Sequence, residues 1–240
     1  MADEFGLRGI IGPDDRQIVD SSAYPWGAIG HVNIAGFSSR GMCTGTLIAP
    51  RIVLTAAHCL TNKRTKKPHA AGDVHFLPGV KFESRLGHSK AQCLRFHRDY
   101  EYIDPARAAQ QMSRSALLEK IKTDVAIIVL AEDLPVRPLA PTTARGFPNG
   151  TALIHAAYPA DRRFLLSADK TCKIERKVNG LWGTTCDTQG GSSGGPVLAK
   201  QNGELRFGAI MVGTMGRSLT LAVPMPGRDK LSLNASCPKS

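Results

Sequence analysis

Short apolar segments separated by turn residues recur along the chain, and this spacing constrains the fold more than any other feature. Runs of this kind, bounded by Gly, Pro, Asn, Asp and Ser, are typical of antiparallel strands. The candidate strands lie at residues 28–34, 42–48, 51–55, 73–77, 80–85, 92–97 and 125–130, and then at 151–157, 172–178, 196–199, 205–212 and 219–223. The pattern predicts an all-β fold.

A proline-rich connector divides these strands into two groups. Four prolines fall within residues 134–150: Pro135, Pro138, Pro141 and Pro148. Prolines at this density are typical of a segment between domains. A chain of 240 residues can hold two packed β-barrels. We expect an N-terminal barrel at 18–133, a connector at 134–145, a C-terminal barrel at 146–228 and a tail at 229–240.

One segment departs from the strand pattern. Asp104 followed by Pro105 suits a helix start, with a capping side chain and then a proline in the first turn. Apolar residues can form one side of such a helix: Ala109, Met112, Leu117 and Ile121. The sequence predicts a helix over residues 105–122, inserted just before Asp124.

The chain carries 31 Lys and Arg against 20 Asp and Glu, a net charge of +11. Such an excess favours weak attraction to anionic surfaces. The densest basic cluster, Lys63, Arg64, Lys66 and Lys67, lacks interleaved aromatic residues, so we interpret it as a solvated loop and predict no specific nucleic-acid binding. The apolar block at 125–130 is far shorter than the roughly 18 residues of a membrane span, and none is predicted.

Six cysteines, with no CxxC motif and no zinc-site spacing, favour disulfides and an oxidising compartment. Sequence alone does not choose among the possible pairings. Proximity in the chain suggests two pairs and leaves a third by elimination: Cys43 with Cys59, Cys172 with Cys186, and Cys93 with Cys237. No signal peptide is visible at the start. We therefore expect a secreted or periplasmic protein in its mature form.

A glycine-rich turn at residues 186–196, with the sequence CDTQGGSSGGP, places Ser193 where the backbone can bend sharply and a substrate can approach. A serine hydroxyl becomes a nucleophile only with a base, a group that orients the base, and donors for the oxyanion. His58 follows a strand on a turn of small residues and suits the base, because imidazole titrates near neutral pH. Asp124 precedes the apolar block 125–130, where an unpartnered carboxylate would be costly. We interpret the other six histidines as structural or exposed: His31, His69, His75, His88, His97 and His155.

Together these stretches resemble the chymotrypsin-like serine proteases. Residues 55–59 (TAAHC), 124–127 (DVAI) and 191–196 (GSSGGP) match that family's His, Asp and Ser motifs in its order, and Cys43 and Cys59 match its disulfide beside the histidine. The resemblance runs from about Ile18 to Pro224. It implies two six-stranded antiparallel β-barrels with the active site between them. Residues 12–16 (GPDDR) and 186–193 (CDTQGGSS) are more similar to the bacterial glutamyl-endopeptidase-like branch.

This resemblance implies a role for each motif residue. Ser193 is the expected nucleophile, His58 the general base and later acid, and Asp124 the group that holds His58 in its correct tautomer. The backbone N–H groups of Gly191 and Ser193 are expected to form the oxyanion hole. The implied substrates are proteins or peptides, and neither a metal nor a cofactor is expected.

The resemblance leaves the specificity open. Asp187 matches the acidic residue at the base of a trypsin-like pocket and would favour Arg or Lys before the scissile bond, but the same residue suits a structural role. Leu219 and Leu221 lie where trypsin-like pockets need small residues, and Ile210 stands where glutamyl-specific enzymes have a histidine. Basic, small or apolar, and acidic preferences all remain. The expected substrate-binding residues are Asp187, Thr188, Gly190, Ile210, Met211 and Gly213.

Activation is a further departure from the digestive enzymes. In those enzymes an aspartate before the nucleophile pairs with a freed N-terminus, whereas this chain has Ser192 there. We expect the site to form without that ion pair, and residues 10–12 not to be an activation terminus. Besides a secreted endopeptidase, two functions stay open: a binding protein for anionic ligands on the protease scaffold, and an esterase-type acyl hydrolase.

Overall fold

The structure is a computed structural model that describes residues 9–36, 42–104, 108, 110–142, 147–225 and 236–237. Its strands are β1 Arg16–Ile18, β2 Ile29–Ile34, β3 Met42–Ala49, β4 Ile52–Thr55, β5 Val74–Pro78, β6 Ser89–Phe96, β7 Ala126–Leu130, β8 Leu153–Ala157, β9 Ser167–Asp169, β10 Ile174–Val178, β11 Leu181–Thr184, β12 Pro196–Gln201, β13 Glu204–Met215 and β14 Leu219–Pro224. Short 3-10 turns span Trp26–Ala28, Ala57–Leu60, Ala71–Asp73 and Ala160–Arg162. The all-β expectation is confirmed.

The first six-stranded barrel closes in the order β2-β3-β4-β7-β6-β5. Strands β4 and β7 are buried along their whole length and pair in register, with Leu54 opposite Ile127. Burial on both faces explains why residues 125–130 read as a continuous apolar run and not as an alternating strand. The barrel thereby holds the last residue of β4 next to the first residue of β7. His58 follows the end of β4, and Asp124 precedes the start of β7.

The second sheet contains eight strands in the order β1-β9-β8-β12-β13-β14-β11-β10. Strand β8 pairs with β9, and a bridge between Ala152 and Lys173 continues this contact toward β10. This bridge brings the two ends of the sheet toward each other, so the sheet forms a half-barrel, and β1 adds to its edge through β9. The two-barrel architecture that the sequence predicted is therefore present.

The helix expected over residues 105–122 is shorter and interrupted. Residues 108, 110 and 111 are helical, and a separate helix, α1, spans Arg114–Ile121. Ser113 has an extended backbone and its hydroxyl accepts a hydrogen bond from the Ala116 N–H, so it caps a new helix. Pro105 and Ala109 lie outside the described residues. Among the described residues, no helix is long and apolar enough to span a membrane.

The prediction of a strand at residues 80–85 is wrong. Lys81 and Ser84 exchange backbone hydrogen bonds around a tight turn, and Phe82 adopts a positive φ of 54° that no strand accommodates. Three short strands were not expected: β1, β9 and β11. The periodicity over three or four residues is too brief to distinguish such strands from loops.

Three disulfides are present in the pairing suggested by the cysteine positions. They join Cys43 to Cys59, Cys93 to Cys237, and Cys172 to Cys186. The first lies beside His58, and the third lies at the entrance to the turn that carries Ser193. The second closes the longest loop, with a sequence separation of 144 residues, and fastens residue 237 to strand β6.

Thr44, on β3 of the first barrel, joins the two barrels through hydrogen bonds. Its N–H donates to the Ser193 carbonyl at 2.9 Å. Its hydroxyl donates to the Gly191 carbonyl at 2.9 Å and accepts from the Tyr158 N–H at 3.0 Å. The side chain is fully buried, so water does not replace these bonds. Thr44 therefore fastens the Ser193 turn to the first barrel.

Replacing Thr44 tests this junction. Thr44→Val keeps the shape but leaves the Tyr158 N–H and the Gly191 carbonyl without their partner, and we expect a loss of about 2 to 4 kcal/mol in the free energy of unfolding. Thr44→Ser keeps the hydroxyl and removes one methyl group, which costs about 1 kcal/mol. Urea unfolding of the two variants measures the difference. Equal losses in both variants would contradict a role for the hydroxyl.

Candidate active site

Asp124 and His58 form the best-defined pair of the site. The carboxylate lies just before β7, and His58 lies on the 3-10 turn that follows β4. Oδ2 of Asp124 lies 2.6 Å from Nδ1 of His58, and Oδ1 accepts the His58 backbone N–H at 2.8 Å. Both carboxylate oxygens therefore bind the same residue, one through its ring and one through its backbone. This arrangement fixes the ring orientation and the tautomer with the proton on Nδ1.

The electrostatic environment favours the charged form of His58. Burial of the ring opposes protonation, and the nearby Lys63 adds a smaller opposing effect. The charge and hydrogen bond of Asp124 outweigh both, so the pKa of His58 lies above its ordinary value. Nε2 points away from Asp124 and is the atom available to exchange protons with a neighbouring group, since 27% of the side chain is exposed.

Ser193 lies beside this pair, held by its backbone. Its carbonyl accepts from the Thr44 N–H and lies 3.8 Å from the Cys59 sulfur. The next residue, Gly194, has a φ of +83°, and a Cβ there would lie 2.1 Å from the Thr44 carbonyl oxygen. Only glycine permits that approach. Within the described residues no hydrogen bond joins the Ser193 hydroxyl to His58, as is common in free enzymes, where this contact tightens on substrate binding.

Three backbone N–H groups in the turn at residues 186–196 are unpaired among the described residues: those of Gly190, Gly191 and Ser193. The N–H groups of Ser192, Gly194 and Gly195 are paired, because they donate to the carbonyls of Gln189, Met211 and Ser192. Gly190 is exposed, whereas Gly191 and Ser193 are partly exposed. The N–H groups of Gly191 and Ser193 are the two donors that the sequence resemblance assigned to the oxyanion hole.

The peptide planes that carry these donors are held in place from behind. The Gly190 carbonyl accepts from the Ala160 N–H at 2.6 Å, and the Ser192 carbonyl accepts from the Gly195 N–H at 2.9 Å. In a trans peptide the C=O and the following N–H point in opposite directions. Fixing these two carbonyls therefore fixes the N–H directions of Gly191 and Ser193. Donors fixed before the reaction stabilise developing negative charge without reorganisation.

Asp187 is not an open pocket base, which corrects its interpretation as a contact for Arg or Lys. The residue is 2% exposed. Oδ1 accepts the Ile11 N–H at 2.7 Å and Oδ2 accepts the Asp15 N–H at 2.9 Å. Burial raises the pKa of its carboxyl group, although these two hydrogen bonds oppose that shift. The carboxylate serves the N-terminal segment of the chain, which is the structural alternative that the sequence left open.

The remaining expected pocket residues divide into two groups. Gly190 is exposed and Gly213 is partly exposed, and both have open space where a Cβ would stand. Thr188 is 5% exposed and donates its N–H to the Gly9 carbonyl. The side chains of Ile210 and Met211 pack in the hydrophobic cores, so they do not line an open pocket as expected. The Met211 backbone instead binds the turn, accepting from Gly194 and donating to Gly195.

Two groups of ligand-type atoms lie close together in the described part of the chain: Cys43, His58 and Cys59, and Asp169, Cys172 and Cys186. In both groups the sulfurs belong to disulfides. Metals bind thiolates, so these sulfurs do not provide a cysteine metal site. Sequence reasoning missed one functional residue, Thr44, because no local motif reveals that its hydroxyl meets a turn almost 150 residues later.

The titration of His58 tests the geometry of the pair. In the wild-type chain we expect the His58 pKa to lie above about 6.5. Asp124→Asn removes the charge that raises it and leaves burial and Lys63, so the pKa should fall below that value. NMR titration of the imidazole, with His69 as an internal control, measures both. An unchanged His58 pKa in the variant would contradict the direct contact.

Comparisons with known proteins relate the chain to a family of peptidases. The trypsin-like peptidase domain family matches residues 43–206. A glutamyl endopeptidase of Bacillus licheniformis is 38% identical over 76 residues, which is 31% of this chain and 22% of that protein. This chain thus aligns with only about a fifth of that relative's length.

Solved structures share the fold at lower identity. A Glu endopeptidase in complex with MPD superposes with a TM-score of 0.67 at 20% identity, covering 92% of this chain and 96% of that one. The VesB protease of Vibrio cholerae gives a TM-score of 0.64 at 19% identity, covering 92% of this chain and 66% of that one. The secreted serine protease VesC of the same organism gives 0.65 at 14%, covering 88% and 45%. The family match extends over most of the chain, and the chain belongs to the trypsin-like peptidase family.

Proposed function

We propose that this protein is a serine endopeptidase that cleaves peptide bonds through an acyl-enzyme intermediate. The observation that carries the proposal is the combination of the His58–Asp124 pair with two fixed, unpaired N–H groups at the Ser193 turn. A binding protein has no need of unpaired donors beside an oriented imidazole. An esterase of the hydrolase type places its serine between a strand and a helix, whereas here Ser193 precedes strand β12.

The proposed reaction uses these groups in two similar halves. Ser193 Oγ attacks the substrate carbonyl carbon while His58 Nε2 takes the hydroxyl proton, and the N–H groups of Gly191 and Ser193 stabilise the oxyanion. The oxyanion collapses, the C–N bond breaks, and His58 gives its proton to the leaving amine. A water molecule then attacks the acyl group with His58 again as base, which releases the acid and restores Ser193. Asp124 orients the imidazole and stabilises the imidazolium.

We also propose that the protein acts outside the cytoplasm. The three disulfides need an oxidising compartment to form and persist. The similarity to a secreted serine protease of Vibrio cholerae is consistent with this location.

For specificity, we propose an acidic residue before the scissile bond in preference to a basic one. Both oxygens of Asp187, the only acid among the expected pocket residues, are occupied by backbone N–H groups. The chain carries a net charge of +11, which attracts acidic substrates. Thr188 matches the glutamyl-specific pattern, and a relative bears the name glutamyl endopeptidase. Ile210 departs from that pattern, so the acidic side chain must bind without the histidine of those enzymes.

A fluorophosphonate probe tests the proposed chemistry. We expect the wild-type chain to be labelled on Ser193, because the probe needs an activated serine and an oxyanion hole. Ser193→Ala should lose the label completely, and Ser115→Ala, on the exposed surface of helix α1, should keep it. Cleavage of a peptide separates a protease from an esterase. Labelling of Ser193→Ala, or no labelling of the folded wild-type chain, would refute the proposal.

A set of peptides that differ only before the scissile bond tests the specificity. We expect kcat/KM to be higher for Glu than for its neutral isostere Gln, and lowest for Arg. Added salt should reduce the difference between Glu and Gln, because it screens exposed charges. If kcat/KM were highest for the peptide with Arg or Lys, the proposed acidic preference would be wrong. Asp187 would then be a candidate for substrate binding.

A further inference from the structure

Residues 9–16 form an N-terminal strap that lies against the second barrel. The strap ends at β1, where Arg16 pairs with Asp169 in the sheet. The Arg16 side chain is almost fully buried and forms salt bridges with Asp14 at 2.9 Å and Asp161 at 2.7 Å. These contacts make the C-terminal end of the strap a firmly anchored structure.

The other end of the strap lies against the start of the Ser193 turn. The Gly9 carbonyl accepts the Thr188 N–H at 2.8 Å. Gly9 has a φ of +95°, and a Cβ there would stand 2.5 Å from the Thr188 carbonyl oxygen and 3.2 Å from Thr214. The strap thus touches the segment before Ser193 and the end of strand β13, the two segments between which the pocket is expected.

Asp187 connects the strap to this segment. Its carboxylate accepts one N–H from Ile11 and one from Asp15, and its own N–H donates to Asp169 on β9 at 2.9 Å. Hydrogen bonds to a charged acceptor are the strong kind. One buried side chain thereby holds two points of the strap. Because Asp187 directly precedes Thr188, the strap is held next to Thr188.

The turn beyond Thr188 is closed by local hydrogen bonds. Ser192 donates its N–H to the Gln189 carbonyl, and its hydroxyl accepts the Gln189 N–H at 3.1 Å. Ser192 is 1% exposed. These bonds stabilise residues 189–192 against each other, but they do not fix the position of the turn relative to the barrel. The contacts at Asp187 and Thr188 fix the position of the entrance of the turn. The later residues of the turn are held by Ala160, Met211 and Thr44.

We propose that Asp187 is a positioning residue that acts through the strap: it clamps residues 9–16 against Thr188 and thereby fixes the wall of the pocket that receives the substrate side chain before the scissile bond. Internal peptide N–H groups, and not a free terminal ammonium group, then order this part of the site. The inference rests on the proposed protease function.

Kinetics of three single variants and one double variant test the clamp. In Asp187→Asn an amide NH2 replaces one acceptor and faces a backbone N–H, so we expect KM for the preferred peptide to rise by about tenfold. Hydrolysis of p-nitrophenyl acetate, which has no side chain at that position, should change by less than about twofold. Gly9→Ala, which pushes the strap off Thr188, should raise the peptide KM similarly. The double variant should show no larger rise than the worse single variant, because both act through one contact.

Gly12→Ala is the matched control. Gly12 also has a positive φ, of 80°, but no atom lies within 4 Å of a Cβ at that position. It therefore adds the same kind of backbone strain without a clash, and the peptide KM should stay close to wild type. An equal effect of Gly12→Ala and Gly9→Ala would show that general strain, and not the contact with Thr188, is responsible.

Other outcomes also overturn the clamp. Additive effects of Asp187→Asn and Gly9→Ala, or a changed preference for Arg and Lys in Asp187→Asn alone, would make Asp187 a substrate contact. If Asp187→Asn does not fold, the peptide KM values of Gly9→Ala and Gly12→Ala still test the clamp. We expect a raised KM in Gly9→Ala and a KM close to wild type in Gly12→Ala. Hydrogen exchange at the Ile11 and Asp15 N–H groups in the wild-type chain is independent of activity: we expect strong protection, and rapid exchange contradicts the clamp even if the chain fails to label with a fluorophosphonate.

Discussion

The contact between Thr44 and the Ser193 turn is the constraint on which the site depends. Ser193 and its glycines belong to the second barrel, whereas His58 and Asp124 belong to the first, so the constellation exists only if the barrels are fixed to each other. Thr44 provides this through its N–H and its hydroxyl, which bind two carbonyls of the turn. Because the junction is buried, these bonds persist without competition from water.

Each charge buried near the site is matched by several donors or acceptors, as the cost of desolvation requires. Asp124 uses both oxygens on His58, and Asp187 uses both on the strap. Arg16 is paired with two carboxylates. The two residues have the same side chain, yet Asp124 binds the ring and the backbone N–H of His58, whereas Asp187 binds backbone N–H groups of the strap. These partners distinguish the roles that we propose for the two aspartates.

The sequence predicted the all-β fold and the three motif residues because these signals are local. Residues 125–130 are apolar enough to be identified as a buried strand, and glycines around Ser193 mark a tight turn. The interruption at Ser113 and the turn at Phe82 were missed, because one side-chain cap or one positive φ overrides the propensity of a whole segment. The hydrogen-bond partners of Asp187 and Thr44 could not be predicted from the sequence, because each partner lies more than 140 positions away in the chain.

The most direct test of this account is a pair of crystal structures, one of the free protein and one after reaction with a peptidyl phosphonate. We expect a covalent bond to Ser193 Oγ and a phosphoryl oxygen about 2.7–3.1 Å from the N–H groups of Gly191 and Ser193. The turn should keep the same backbone in both structures, with the Gly190 carbonyl still bound to Ala160. A turn that rearranges to create these donors, or an oxygen directed away from them, would contradict an oxyanion hole that is formed before the substrate arrives.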